Sequence, residues 1–283
     1  MKTILIAGCG FVGRVALTLF QKAGWNVTAL TRSQDTAHEI DAVSGCRAVA
    51  CDITQRRELE FLNFSGFDAV VDCVSAGACE TEEYRRIYFE GAKNLLEVLR
   101  PGQFFFTSSS SVYGQDDGSM VTEESPAKPE TGTGLVLRST EELVLANGGI
   151  VSRLTGIYGP GRAMLLRRFL EGSAAIEGNG ARHLNQIHRA DAASAIFFLL
   201  NRAEASGVYN VTDNASPTQS EFYGWLADYF DKPIPPCGPA DPQRRRFATN
   251  KRISNAKLRA LGWEPAYPSF LRALQNDPDL LKS

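Results

Sequence analysis

The chain has 283 residues, 43% of them hydrophobic and 22% charged, a balance typical of a globular protein with one large domain or two joined domains. Its formal net charge of −2 gives no general attraction to nucleic acid or to an anionic membrane. The longest apolar run, residues 195–200, is far shorter than the roughly 20 residues that a membrane span requires. We therefore expect neither a membrane-spanning nor a nucleic-acid-binding protein.

The six cysteines are scattered, without a C-x-x-C motif or a histidine at metal-ligand spacing. This usage favours reduced thiols in a cytoplasmic protein over a disulfide framework or a zinc site, so we expect no metal. The three arginines at residues 244–246 have two interpretations, a solvated loop or a loop that contacts phosphate.

The first predicted strand, residues 4–7, leads into a G-x-G-x-x-G motif made of Gly8, Gly10 and Gly13, and a helical pattern follows at residues 11–23. In such a unit the first glycine allows a tight turn, the second lets the backbone approach a pyrophosphate, and the third lets the helix pack closely on the strand. The helix N-terminus also presents N–H groups to the phosphates. The motif predicts a dinucleotide site, and the alternative is a glycine turn that binds no ligand.

The second predicted strand ends at Thr31, Arg32 and Ser33, where an NAD-binding unit carries an acidic residue for the ribose 2′-hydroxyl. A guanidinium beside a hydroxyl suits a 2′-phosphate instead, so NADP(H) is preferred and NAD(H) is the second choice. A hydrogen bond to a charged group contributes about 1.5–3 kcal/mol, which is roughly 10- to 150-fold in affinity. The alternative is that Arg32 is a solvated surface arginine.

Strand and helix patterns then alternate along the chain, which predicts an α/β fold: a Rossmann-type, doubly wound parallel sheet with helices on both faces. After residue 153 the elements become shorter and richer in glycine and proline. We therefore predict a Rossmann domain of residues 1–156 and 181–206, and a smaller substrate lobe of residues 157–180 and 207–283. The predicted strands are 4–7, 27–31, 48–50, 69–73, 103–108 and 150–154, and the predicted helices are 11–23, 55–63, 80–99, 136–147 and 188–202.

Further motifs follow the predicted strands: C-D-I at residues 51–53, T-S-S-S-S-V-Y-G at 107–114, R-L-T-G-I-Y-G-P-G at 153–161, and Q-I-H-R-A-D at 186–191. With these motifs and the glycine turn, the chain resembles the extended or atypical short-chain dehydrogenase/reductases, in their NAD-dependent epimerase/dehydratase branch. The resemblance runs nearly end to end and is more specific for fold than for reaction.

The resemblance implies roles for particular residues. Ser109 matches the family's catalytic serine, whose hydroxyl binds the reacting substrate oxygen; the alternative is that the serine run satisfies backbone groups at a strand end. Tyr113 and His188 match structural positions. The implied cofactor-binding set is Gly8, Cys9, Gly10, Phe11, Val12, Gly13, Thr31, Arg32, Ser33, Asp52, Ile53, Val74 and Ser75.

The chain departs from the family at its catalytic Tyr-x-x-x-Lys pair, whose two members share one helix face. Gly134 stands at the tyrosine position and Arg138 at the lysine position, where a guanidinium could still hold the ribose. Tyr88 replaces the family's asparagine. A positioned general acid or base contributes about 10²–10⁴ in rate, so another group would have to substitute, with Thr133, Tyr158 or a substrate acid as candidates.

The resemblance also places Arg162 and Arg182 in segments that bind the diphosphate of a nucleotide sugar, with surface arginines as the alternative.

Two functions are consistent with the motifs and the missing pair. The first is an NADP(H)-dependent enzyme that transfers hydride on a sugar or nucleotide-sugar substrate. The second is a non-catalytic NADP(H)-binding sensor or partner protein. The family commonly forms homodimers through long helices, which here are the patterns at 80–99 and 136–147.

Overall fold

A computed structural model describes residues 1–62, 66–77, 80–239 and 249–282. Cys79 and the arginines at 244–246 lie outside the described residues. The strands are β1 (Thr3–Ala7), β2 (Asn26–Thr31), β3 (Arg47–Ala50), β4 (Ala69–Asp72), β5 (Gln103–Ser109), β6 (Met120–Val121), β7 (Ile150–Leu154), β8 (Gly156–Tyr158), β9 (Ile176–Glu177), β10 (Gln186–His188), β11 (Gly207–Val211), β12 (Cys237–Gly238) and β13 (Arg252–Ile253).

The helices match the predicted patterns at 11–23, 55–63, 80–99, 136–147 and 188–202 to within a few residues at each end. The predicted helix at 80–99 is interrupted by a π-helical turn at Arg86–Glu90, and a short 3₁₀ turn, Ser110–Val112, follows β5. The α-helices are α1 (Gly13–Lys22), α2 (Gln34–Ser44), α3 (Arg56–Phe61), α4 (Thr81–Arg85), α5 (Gly91–Leu99), α6 (Gly132–Ala146), α7 (Met164–Leu170), α8 (Arg189–Leu200), α9 (Gln219–Phe230), α10 (Ala256–Ala260) and α11 (Phe270–Asn276).

The central sheet has seven strands in the order β11-β7-β5-β4-β1-β2-β3. β1 pairs in parallel with β2 and β4, β2 pairs in parallel with β3, and β4 pairs in parallel with β5. The inner strands are nearly continuous runs of buried apolar residues, as expected for a parallel sheet covered on both faces. The predicted Rossmann-type α/β fold is confirmed.

The direction in which strands are added reverses between β1 and β4. In an open α/β sheet, ligands bind outside the carboxyl ends of the strands at such a switch point. The fold therefore brings the turn after β1 and the segment after β4 to the edge where a cofactor would bind.

The chain divides into two compact units, each with its own buried residues. Unit 1 is residues 1–112, 127–153 and 192–209, and unit 2 is residues 113–126, 154–191 and 210–283. Segments 113–126 and 181–191 thus belong to unit 2, whereas the sequence pattern had placed them in the Rossmann domain. Unit 2 has an aromatic core in which Phe222 and Phe270 pack edge to face.

Candidate cofactor site

The turn after β1 needs glycine at two positions for steric reasons. Gly8 has a φ of +84° and its N–H donates to the Leu30 carbonyl oxygen at 2.9 Å. A Cβ atom on Gly8 would lie 2.6 Å from the Cys73 backbone, and one on Gly13 would collide with the Gly8 carbonyl oxygen. These contacts explain the first and third glycines, because any larger residue would push β1, α1 and the segment after β4 apart.

The second glycine has a different environment. A Cβ atom on the exposed Gly10 would meet no atom within 4 Å among the described residues, so the turn leaves open space where a ligand could approach the backbone. The N-terminus of α1 has no acidic residue in its first turn, and no side chain in the described part of the chain caps it. A diphosphate fits this site, because the helix dipole and the backbone N–H groups favour an anion there.

The side chains within the turn point away from the open space. Cys9 is buried and its thiol donates to the Ile6 carbonyl oxygen at 3.4 Å. Burial raises the pKa of Cys9 to about 12, so its side chain is a neutral packing group. Val12 is buried as well, and Phe11 is half-buried. Any contribution of these residues to cofactor binding would come from their backbone.

The end of β2 combines a free cation with a capped helix. Arg32 is exposed and makes no hydrogen bond or ion pair with any described residue. The hydroxyl of Ser33 caps α2 by accepting a hydrogen bond from the Thr36 N–H at 3.2 Å. Of the predicted residues at this strand end, Arg32 is therefore the side chain that is available to a ligand.

Two hydrogen bonds hold the segment after β3, and the predicted residues after β4 lie in the same unit. The carboxylate of Asp52 accepts from the Thr54 N–H at 2.9 Å, and the Ile53 carbonyl accepts from the Asn94 side chain at 2.9 Å. Ile53 is buried, Val74 is half-buried and Ser75 is exposed. These predicted residues all lie in unit 1 beside the carboxyl edge of the sheet.

Asp72, the last residue of β4, is a buried acid that the sequence analysis did not identify. One of its carboxylate oxygens accepts from the Val74 N–H at 3.1 Å, and the other has no partner among the described residues. Burial raises the pKa of Asp72 to about 7, so the carboxyl group is partly protonated at neutral pH. No sequence signal marks it, because Asp72 simply continues an apolar strand.

The two serines at the end of β5 have different roles. Ser109 is half-buried, and its hydroxyl accepts a hydrogen bond from the Ser111 N–H at 3.2 Å, which leaves the hydroxyl proton available. Ser108 is buried and donates to the carboxylate of Glu141 at 2.7 Å. That carboxylate also binds Arg153 through Nε at 3.0 Å and Nη2 at 2.7 Å. The network fixes the strand end directly before Ser109.

The two positions on α6 that match the family's catalytic tyrosine and lysine hold a buried glycine and a paired arginine. Gly134 is buried, and a Cβ atom on it would lie 2.5 Å from Cβ of Pro129. Arg138 donates to Glu141 at 2.6 Å and to Glu142 at 2.9 Å. A tyrosine therefore does not fit at residue 134 without displacing Pro129, and Arg138 serves a structural ion-pair cluster.

The hydroxyl groups of Tyr88, Thr133 and Tyr158 lie in packed or hydrogen-bonded surroundings. Tyr88 lies in the π-helical turn, is buried, and its hydroxyl accepts from the Ala76 N–H at 3.5 Å. Thr133 is half-buried, with its hydroxyl 3.4 Å from that of Thr131. In unit 2, Tyr158 is buried with its ring packed against Phe270, and burial raises the pKa of its hydroxyl.

The remaining predicted positions lie in unit 2. Arg162 is exposed and, with Leu166 and Leu280, lines a shallow pocket. Arg182 is half-buried, with its Nε 3.7 Å from the carboxylate of Glu177. His188 is buried, and its Nε2 is hydrogen-bonded to the carboxylate of Asp277 at 3.1 Å, which is consistent with a structural role. The hydroxyl of Tyr113 donates to Asn210 at 2.9 Å.

The described residues also exclude two classes of feature. They contain no group of three histidine, cysteine, aspartate or glutamate side chains placed to hold a metal ion. Across the same part of the chain, every helix is too short or too polar to cross a membrane.

Comparisons with known proteins agree with this geometry. The sequence profile of the NAD dependent epimerase/dehydratase family matches residues 4–212. Protein YeeZ of Escherichia coli K12 is 29% identical over 96% of this chain and 98% of its own length. The 3-diazoavenalumate denitrifying reductase of a Streptomyces species is 25% identical over 95% of this chain and 98% of its own length.

Two solved structures show the same fold. A protein of Methylobacillus flagellatus, provisionally assigned as an NAD-dependent epimerase/dehydratase, is 30% identical with a TM-score of 0.79, over 97% of this chain and 96% of that chain. The UDP-glucose 4-epimerase of Thermus thermophilus, in complex with NAD, has a TM-score of 0.79 at 20% identity and covers 97% of both chains. At that lower identity the likeness concerns the fold alone.

Proposed function

Because this chain belongs to the NAD dependent epimerase/dehydratase family, we propose that it binds NADP(H) at the carboxyl edge of its sheet and transfers hydride to or from a small-molecule substrate. The observation that carries the proposal is the turn after β1. Gly8 and Gly13 stand where a Cβ atom would strike backbone, whereas Gly10 faces open space at the start of a ten-residue helix. This combination supports a bound diphosphate, because it joins a tight turn to open space beside backbone N–H groups.

The preference for NADP(H) over NAD(H) rests on Arg32. The residue follows β2 directly, is exposed, and has no partner in the described part of the chain, so its guanidinium is free to bind a 2′-phosphate. A carboxylate at this strand end would instead bind the 2′-hydroxyl and repel a phosphate. Asp52, Ile53, Val74 and Ser75 would line the rest of the cofactor.

Ser109 is the side chain proposed to contact the reacting oxygen of the substrate. Its hydroxyl keeps a proton to donate, and the buried bond from Ser108 to Glu141 holds the strand end in place. When bound, the nicotinamide ring supplies or accepts the hydride ion. The chain's own contribution is to orient the reacting substrate oxygen through a hydrogen bond from the Ser109 hydroxyl.

The substrate class is proposed from the relatives. A sugar or nucleotide sugar is the first candidate, as membership of the epimerase/dehydratase family suggests, with Arg162 and Arg182 as the diphosphate ligands. The Streptomyces relative is a reductase, which supports net hydride donation to the substrate. Arginine suits a diphosphate because its planar guanidinium binds two oxygens at once.

A second function, a non-catalytic NADP(H)-binding protein, is favoured by one observation. The tyrosine position is a glycine whose Cβ would lie 2.5 Å from Pro129, and the lysine position is an arginine committed to Glu141 and Glu142. A chain that has lost the family's proton donor in this way could still sense the cofactor.

Titration calorimetry followed by a turnover screen separates these functions. Wild-type protein, freed of nucleotide, is titrated with NADPH and NADH and then assayed with NADPH on a panel of sugars, nucleotide sugars and carbonyl compounds. For an enzyme, Ser109→Ala should lower turnover by about 10- to 150-fold, the value of one hydrogen bond to a developing charge, with unchanged NADPH affinity. Ser111→Ala, an exposed neighbour, is the matched control.

Each outcome leads to a different conclusion. Tight NADPH binding without turnover on the whole panel would favour the non-catalytic function. Binding of neither cofactor would refute the proposal.

A further inference from the structure

A short pair of parallel strands in unit 2, β6 and β13, places two polar side chains on one face. The pairing extends back to residue 250, because the Gly118 N–H donates to the Asn250 carbonyl oxygen at 2.9 Å. Side chains alternate between the two faces of a strand. Lys251 and Ile253 are accordingly buried, whereas Asn250 and Arg252 are half-buried on the other face.

Gly118 lies against these two side chains and against His183. Its φ is +77°, and a Cβ atom on it would lie 3.5 Å from Nδ2 of Asn250 and 3.9 Å from Cδ2 of His183. The Nε of Arg252 donates to the Gly118 carbonyl oxygen at 3.0 Å. These four residues, all half-buried members of unit 2, are called the Gly118 site.

Backbone contacts fix which atoms of His183 and Asn250 are available to a ligand. Nδ1 of His183 lies 2.7 Å from the Ser216 carbonyl oxygen, which can only accept, so Nδ1 carries the proton and Nε2 of the neutral ring is an acceptor. Oδ1 of Asn250 accepts from the His183 N–H at 2.9 Å, which leaves the amide N–H groups on Nδ2 as donors. Nε2 and Nδ2 make no hydrogen bond with any described residue. An acceptor beside a donor is the set that a hydroxyl group satisfies.

Arg252 adds a cation to the site. The bond from its Nε holds the guanidinium beside Gly118, and the N–H groups of Nη1 and Nη2 have no hydrogen bond or ion pair in the described part of the chain. A planar fork of this kind binds the two oxygens of a carboxylate at once. The nearest acids along the chain, Asp116 and Asp117, are exposed, and the Asp117 carboxylate accepts from the Ser119 N–H at 3.0 Å.

We infer that the Gly118 site binds a substrate carboxylate together with an adjacent hydroxyl group, so that the substrate is an acidic sugar. Arg252 binds the carboxylate, and Asn250 and His183 bind the hydroxyl. One guanidinium balances the single negative charge of a carboxylate, whereas a phosphate monoester carries about −1.5 to −2 at pH 7. This inference rests on the proposed sugar substrate and names its chemical class.

The test is a protein-detected NMR titration of the whole chain with D-glucuronate, D-glucose and D-glucose 6-phosphate. The first two sugars differ only at C6, which is a carboxylate in one and a hydroxymethyl group in the other. D-glucuronate should bind about 10- to 150-fold more tightly than D-glucose, the value of a hydrogen bond to a charged group. The backbone signals of Gly118 and His183 should shift most, because these residues form the site.

Two variants separate the carboxylate from the rest of the sugar. Arg252→Gln removes the charge and the fork but keeps a side-chain N–H for the Gly118 carbonyl. It should weaken D-glucuronate by about 10- to 150-fold and change D-glucose by less than about 3-fold. Asn250→Asp keeps an acceptor for the His183 N–H and adds a negative charge, so it should weaken D-glucuronate more than D-glucose.

The matched control is Arg272→Gln. Arg272 is an exposed arginine of α11 in the same unit, and its Nη1 donates to Gln275 at 3.3 Å. This variant should bind all three sugars like the wild type. Thermal melting shows whether each variant is folded, and Arg252→Lys, which keeps the charge without the fork, serves where Arg252→Gln is not.

The inference would be overturned by equal binding of D-glucuronate and D-glucose, by no binding of any of the three sugars, or by an unchanged preference in folded Arg252→Gln. Tighter binding of D-glucose 6-phosphate than of D-glucuronate would overturn the assignment to a carboxylate. The titrations contain no cofactor, so these results leave the proposed NADP(H) binding intact. Failure of the wild type to bind NADPH would refute that binding without changing the preference for D-glucuronate.

Discussion

Replacing Glu141 by glutamine should destabilise unit 1 strongly. The Glu141 carboxylate accepts hydrogen bonds from Ser108 at 2.7 Å, from Arg138 at 2.6 Å, and from Arg153 at 2.7 and 3.0 Å. Glu141 is fully buried and Arg153 is 3% exposed, so the neutral amide would remove the negative charge that pairs with the buried Arg153 guanidinium. Breaking a buried ion pair in this way costs about 3–5 kcal/mol, a large part of a typical free energy of unfolding of about 5–15 kcal/mol.

The assay is equilibrium unfolding in urea, followed by far-ultraviolet circular dichroism. Glu142→Gln is the matched control, since Glu142 pairs with the same Arg138 but its side chain is 65% exposed, and such a pair contributes about 0–1 kcal/mol. The double variant Glu141→Leu/Arg153→Met removes both charges and should recover much of the lost stability. A loss in Glu141→Gln no larger than in the control would refute the reasoning, because the buried network would then contribute nothing.

Three further predictions concern Asp72, the cysteine thiols and the glycine turn. Burial raises the pKa of Asp72 from 3.8 to about 7, so the stability associated with its protonated form is complete below about pH 3.8 and is lost as the pH rises through 7. Asp72→Asn should therefore be more stable than the wild type at pH 8, by up to about 4 kcal/mol, and not at pH 4. Urea unfolding at both pH values measures this difference. Among the described cysteines, the exposed Cys237 should react with a thiol reagent at pH 8, whereas the buried thiols should react only after denaturation, and a rapid reaction of Cys9 would contradict its burial. Gly13→Ala should lower the free energy of unfolding by about 1–3 kcal/mol, because the added Cβ atom would collide with the backbone. Gly10→Ala should unfold like the wild type but bind NADPH more weakly. Urea unfolding and calorimetry together distinguish the two glycines.

Elements with a long-range apolar pattern were predictable, and elements defined by their caps were missed. The strands of the inner sheet read as buried apolar runs, and β7 (Ile150–Leu154) matches its prediction. Helix α2 was missed, although Ser33 caps its start and Gly45, with a φ of +64°, ends it. Helix α9 was missed as well, although Thr218 and Glu221 form a capping box that is legible in the sequence.

The sequence by itself determined the turn chemistry and the fold class. The spacing of Gly8, Gly10 and Gly13 after a strand is a local pattern, and alternating strand and helix patterns have few packed solutions. Arg32 could be singled out because its position follows from counting along the chain. These features depend on neighbours in sequence, so they can be read before the chain is folded.

Only the tertiary structure determines the protonation of Asp72 and the ion pairs of the arginines. Asp72 is buried and one of its carboxylate oxygens has no partner among the described residues, while Arg14 pairs with Glu39, a residue of the next helix. Arg138 matches the lysine of the family's catalytic pair in sequence but is paired with Glu141 and Glu142 in the fold. The pKa of a carboxyl group and the availability of a guanidinium depend on which distant groups surround them, and no linear pattern carries that information.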